Sequence, residues 1–144
     1  MRVQLKRLHD AAIIPRYQTE LSAGVDLAAC MTEDVIIAPH ERVVIPTGIA
    51  IALPAGYEAQ IRGRSGMALK FGVMPANGVG TIDADYRGEI GVILLNTSNE
   101  QFTVTSGMRI AQMVVTTYEQ AEFDEVETLD ETTRSTRGYG STGY

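Results

Sequence analysis

Short apolar stretches of strand length recur along the chain between turn residues, at 3–8, 35–38, 43–46, 49–53, 57–62, 90–96, 101–104 and 108–116. Pro39-His40, Pro54-Ala55-Gly56, Asn96-Thr97-Ser98-Asn99 and Ser106-Gly107 punctuate them. In Ile49-Ala50-Ile51-Ala52-Leu53 the large side chains alternate, which gives a strand one apolar face. Strands returning every ~8–12 residues, with no long amphipathic helix and no internal repeat between them, predict an antiparallel sandwich or barrel.

A chain of 144 residues suits one domain with a substantial core. No apolar run approaches the ~20 residues a membrane span needs. The first nine residues, Met1 to His9, lack the apolar core of a secretory signal, so the expected location is cytoplasmic, with no membrane partner. Cys30 is the only cysteine, which excludes an internal disulfide and a Cys-rich zinc site. His9 and His40 each stand apart from other metal-ligating residues. The net charge of −6 argues against a nucleic-acid partner. That charge is local: seven acids and no base fall between Glu119 and Glu131, so the remaining body is near neutral and can hold a cationic pocket for a small anion.

Chemistry concentrates in Asn77 to Gly91. Asn77-Gly78 tolerates the positive φ of a tight primed turn and reads as a β-hairpin tip. Val79, Ile82, Ile90, Val92 and Leu94 supply strand character on either side, which places Asp83 on a strand just past the tip. An aspartate there is ionised at neutral pH and can act as a general base on a water within reach. The same residues also suit a plain turn, with Asp83 and Asp85 capping it before Gly88.

Four further stretches carry polar groups. In Gly63-Arg64-Ser65-Gly66, Ser65 reads as the N-cap of a short helix continuing through Met67-Ala68-Leu69-Lys70. Its open N–H groups and the Arg64 fork suit phosphate oxygens, although an ordinary capped turn fits too. Asp26 follows Gly24 and is either a strand-end turn residue or a site carboxylate. In Arg109-Ile110-Ala111-Gln112 the alternation sets Arg109 on one face with Ala111, and Gln112 on the other with Ile110. The tail contains Gly138-Tyr139-Gly140-Ser141-Thr142-Gly143, but only Tyr144 follows, so no strand-turn-helix dinucleotide unit exists. A mobile arm is the better account: glycine backbone amides and Ser141 wrap an anion, Arg134 adds charge, and Tyr139 offers a stacking ring, although a disordered tail with no role fits these residues too.

Gly80-x-Ile82-Asp83-x-x-Tyr86-x-Gly88 resembles the third signature motif of the trimeric deoxyuridine triphosphatases (dUTPases). The stretches at Ala23-Gly24-Val25-Asp26-Leu27, Arg64-Ser65-Gly66, Gly107-Met108-Arg109-Ile110-Ala111-Gln112 and Arg134 to Gly143 resemble the other four, in family order. The resemblance implies an all-β fold, a jelly-roll-like distorted β-barrel with one short helix and a mobile Gly-rich C-terminal arm. It divides the chain into a β domain over 1–118, an acidic connector over 119–133 and the arm over 134–144. It also implies Mg²⁺-dependent hydrolysis of dUTP to dUMP and pyrophosphate in a homotrimer with shared sites.

By the same resemblance Asp83 is the base, and Arg64, Ser65, Gly66, Gln112 and Arg134 hold the triphosphate. The backbone of Asn77, Gly80, Thr81, Ile82 and Gly91 reads uracil, and Tyr86 packs on the deoxyribose. Tyr139, Gly140 and Ser141 close the site, while Asp26 and Arg109 support it. Mg²⁺ is held by phosphates and waters with no direct protein ligand, and Asp26 helps order either a basic side chain or the water shell of that ion. Three positions depart from the family pattern: Ser135 replaces a usual Gly, Tyr139 a usual Phe, and Arg137 adds a charge. The alternatives are a dCTP deaminase of the same fold, or a nucleotide-gated regulatory binding module.

Overall fold

A computed structural model describes residues 1–138, so Tyr139, Gly140 and Ser141 lie outside the described residues. Eleven strands and one helix follow one another as β1 Gln4–Arg7, β2 Val25–Ala28, β3 Val35–Ile37, β4 Arg42–Pro46, β5 Ile49–Ala52, β6 Tyr57–Arg62, α1 Ser65–Phe71, β7 Val73–Pro75, β8 Gly80–Ile82, β9 Gly91–Asn96, β10 Phe102–Val104 and β11 Arg109–Thr117. Every pairing is antiparallel, and the strands fall into four sheets, β2-β11-β6-β8, β4-β9-β7, β1-β5 and β3-β10. The fold is thus all-β, without closure into one barrel.

All eight stretches with strand periodicity carry strands. Three strands lie outside those stretches, β2 in the Asp26 stretch, β7 after the helix and β8 after the Asn77-Gly78 turn, because each is a three- or four-residue run whose burial comes from tertiary packing. The core lies between the sheets. Leu27, Ala59, Ile61, Ala111 and Met113 come from the four-stranded sheet; Ile45, Val73, Val92 and Leu94 come from the three-stranded one. Asn96 is fully buried on β9 and fully paired: its Nδ2 donates to Ile37 O at 3.1 Å and Glu100 O at 2.7 Å, while its Oδ1 accepts from Ser98 N and Oγ. Such pairing removes the desolvation penalty of a buried amide.

Two local expectations change. The N-cap of α1 is Arg64, in extended conformation and without a side-chain capping bond; Ser65 is the first helical residue. Asn77-Gly78 does form a turn, with Gly78 at φ +70° and its N–H on Pro75 O, but it is not a β-hairpin. The strands flanking it separate, β7 pairing with β9 and β8 with β6, so the turn carries the chain from one sheet to another.

Candidate active site

Three of the sequence stretches meet at one end of the four-stranded sheet. Asp26 on β2 pairs in register with Gln112 on β11, which pairs in turn with Arg62 at the end of β6. Asp26 divides its carboxylate between two arginines: Oδ1 accepts from Arg64 Nε at 2.9 Å and Oδ2 from Arg109 Nη1 at 2.9 Å. Arg64 Nη1 also donates to Arg109 O at 3.0 Å, and Gln112 Nε2 to Gly63 O at 2.8 Å. Asp26 is largely shielded, while Arg109 is half exposed and so keeps donors toward solvent. The Ser65 and Gly66 amides, first in α1, have no intrahelical acceptor, and both residues are exposed.

The facing expected for β11 is overturned here. A register shift between Arg109 and Ala111 buries Ile110 and Ala111 together, so Arg109 and Gln112 both reach the Asp26 cluster. An inserted residue re-aims a strand in this way, and no alternation count reveals it. An added Cβ at Gly24 would lie 3.0 Å from Gln112 Oε1 and 3.2 Å from Val114 Cγ2, so a side chain there would press on Gln112.

Asp83 lies elsewhere. It is exposed, one residue past β8 rather than on a strand, and it opens a turn closed by Tyr86 N to Asp83 O at 3.2 Å. Its side chain has no hydrogen-bond partner among the described residues, and it lines an open cleft of about 680 Å³ with Glu58, Thr81, Asp85 and Tyr118. Ile82 pairs with Ala59, so Asp83 lies beside Glu58. Along β6, Glu58 and Arg62 are four residues apart, or roughly 13 Å at strand spacing, and Arg64 follows beyond the strand's end. Within one chain the carboxylate and the guanidinium cluster are therefore not brought together.

Around Asp83 the backbone is both fixed and open. β8 is the outer strand of its sheet, so one edge of Gly80, Thr81 and Ile82 carries no neighbouring strand among the described residues. Gly80 must lack a side chain, because a Cβ would come within 2.9 Å of Asn77 Nδ2 and 3.2 Å of Ile61 Cβ. Gly91, at the start of β9, is confined by Val44 in the same way. Tyr86 lies over Gly88, where a Cβ would meet Cζ at 2.6 Å, and its hydroxyl donates to Glu89 O at 3.0 Å. Sequence reasoning missed Arg87, which donates to Ala84 O and Tyr86 O. It also missed Glu89, whose Oε1 accepts from Gly48 N at 2.7 Å. A cation beside a turn is a weak signal for the first; the 41-residue separation leaves none for the second.

Residues 119–138 are all exposed. Arg134 Nε donates to Arg137 O at 3.1 Å, and Arg137 N and Nε return bonds to Arg134 O at 3.2 Å. Ser135, which stands where the resembled motif has Gly, adopts φ +46°. This is the left-handed region, in which a Cβ costs about 1 kcal/mol.

Fold and site together define a small all-β protein with a cationic cluster suited to an anionic ligand and a separate, solvent-facing carboxylate. The chain belongs to the dUTPase family: the family model described as dUTPase matches residues 10–143. The deoxyuridine 5'-triphosphate nucleotidohydrolase of Syntrophotalea carbinolica is 49% identical over 142 residues, covering 99% of this chain and 97% of that protein. The corresponding protein of Orientia tsutsugamushi strain Boryong is 50% identical, covering 99% of each. Among solved structures, the dUTPase of Staphylococcus bacteriophage 80alpha with dUPNHPP superposes with a TM-score of 0.89 at 26% identity, covering 99% of each chain. The jelly-roll-like dUTPase fold is therefore the fold of this chain.

Proposed function

We propose that this protein hydrolyses dUTP to dUMP and pyrophosphate with Mg²⁺, in a homotrimer whose sites are each completed by more than one copy. The observation that carries this reading is the split site: a free carboxylate on a turn beside the start of β6, and an arginine cluster beyond the other end of that strand. A second copy resolves the split by presenting its Asp83 to the first copy's Arg64 cluster. The product dUMP would feed thymidylate synthesis while dUTP is kept low. The proposed location is cytoplasmic; among the described residues no helix is long and apolar enough to cross a membrane.

Arg64, Ser65, Gly66 and Gln112 bind the triphosphate, with Asp26 and Arg109 orienting Arg64, and Arg134 arriving on the arm with Tyr139, Gly140 and Ser141. Asp83 orients a water, takes its proton and directs it at the α-phosphorus in line with the departing pyrophosphate. Among the described residues no three metal-ligating side chains stand together, and both Asp26 oxygens are engaged by arginines. This donor set would suit a Mg²⁺ ion carried on phosphate oxygens and waters, which would neutralise charge on the triphosphate, with Asp26 acting through the two arginines it holds. The free edge of β8, with the Asn77-Gly78 turn before it, offers peptide donors and acceptors to uracil, and a cytosine there would leave buried groups unpaired. Tyr86, held against Gly88, packs on the deoxyribose and excludes a ribose hydroxyl.

Pyrophosphate release should be measured from dUTP, UTP, dCTP and dTTP with Mg²⁺, for the full chain and for a chain ending before Arg134. Release from dUTP alone is expected, with the shortened chain at least about tenfold slower because the closing groups are gone. Ammonia release from dCTP, or equal use of UTP, contradicts the assignment.

A further inference from the structure

The loop between Asp83 and Ile90 is braced at both ends. At its far end, Thr47 Oγ1 donates to Ile90 O at 2.6 Å, Ile90 N to Ile49 O at 2.9 Å, and Glu89 takes the Gly48 amide. At its near end the backbone bond from Tyr86 N to Asp83 O, at 3.2 Å, is joined by one side chain. Arg87 Nη1 sits between two peptide carbonyls, 2.6 Å from Ala84 O and 2.8 Å from Tyr86 O. These carbonyls belong to the turn that begins at Asp83 and carries Tyr86. Asp83, Asp85 and Glu89 all stand within four residues of Arg87, yet the ion pairs found among the described residues are only those of Asp26. The guanidinium is thus spent on backbone geometry and leaves the Asp83 carboxylate unpaired.

We propose that Arg87 is a positioning residue for both halves of the chemistry: it holds the turn so that Asp83 meets the water and Tyr86 meets the sugar. The inference rests on the dUTP-hydrolysing reading above. Charge-assisted bonds to two carbonyls are strong enough to hold an exposed turn in one shape. Among the described residues the Tyr86 side chain has one polar tether, its hydroxyl on Glu89 O. Loosening the turn lets the ring move off the sugar, so discrimination against a ribose hydroxyl should weaken along with turnover. A mere surface arginine would change neither.

The test is steady-state kinetics on dUTP and UTP for full-length wild type, Arg87→Ala and Arg87→Lys, with kcat/KM followed against pH. For Arg87→Ala, kcat on dUTP is expected to fall about tenfold, the scale of a small misplacement of a catalytic group. The preference for dUTP over UTP should fall by a similar factor, while the pH profile keeps the wild-type shape. Arg87→Lys, which keeps the charge but lacks the planar fork, should recover part of both. It also decides the matter if the alanine variant unfolds: a relaxed preference supports the assignment, and a wild-type preference overturns it. Unchanged kinetics in Arg87→Ala overturn it too, as does a loss that moves the pH profile, which would make Arg87 an electrostatic partner of Asp83. If wild type itself fails to hydrolyse dUTP, the functional reading has failed rather than this one.

Discussion

Asp83→Asn is expected to bind a non-hydrolysable dUTP analogue as wild type does while turning over dUTP about a thousandfold more slowly, the middle of the range for general-base catalysis. Asparagine keeps the size of the side chain and can still hold a water. It cannot accept the water's proton. The separation of binding from turnover follows from where Asp83 stands: exposed beyond the end of β8, without a side-chain hydrogen bond among the described residues, and at the opposite end of β6 from Arg64 of its own chain. Nothing in the fold depends on its charge. Calorimetric titration with the analogue and steady-state rates on dUTP check both halves, and near-normal turnover removes Asp83 from the role.

Asp26→Ala should act in the opposite way, on capture of the triphosphate. One carboxylate fixes two guanidinium groups, each through a 2.9 Å bond, and it does so from a largely shielded position. Without it Arg64 loses its aim, and two like charges are left to repel across the gap. The expected result is a raised KM and a kcat/KM about a hundredfold lower, the scale of losing an oriented phosphate clamp. Asp26→Asn should lie between, since an amide oxygen satisfies only one arginine. The competing view is that freeing two cations strengthens phosphate binding; a lower KM in Asp26→Ala would establish it.

How far these positions could be read without coordinates depended on whether each signal was local. The periodic runs at 49–53 and 90–96 announce strands because alternation is a property of adjacent residues. The residues of the Asp26, Arg64 and Arg109 stretches were legible as a set only through family resemblance. Nothing in their spacing places Asp26 between residues 38 and 83 positions away. The bulge after Arg109 and the crossing of Asn77-Gly78 between sheets were misread for one reason: both are settled by which strand lies alongside, a fact of tertiary packing. Arg87 went unremarked because a cation satisfied by backbone carbonyls looks, in sequence, like any solvated charge.

The shared site is tested most directly by mixing two inactive variants. Asp83→Asn chains keep Arg64, the proposed phosphate ligand, and Arg64→Ala chains keep Asp83, the proposed base; each alone should be nearly inactive. Unfolded and refolded together in equal amounts, they should regain activity in roughly a quarter of the sites, the share expected for random assembly into a closed ring. Mixed assemblies that form but stay as inactive as either parent would contradict the account, because they would show that Asp83 and Arg64 must come from the same chain.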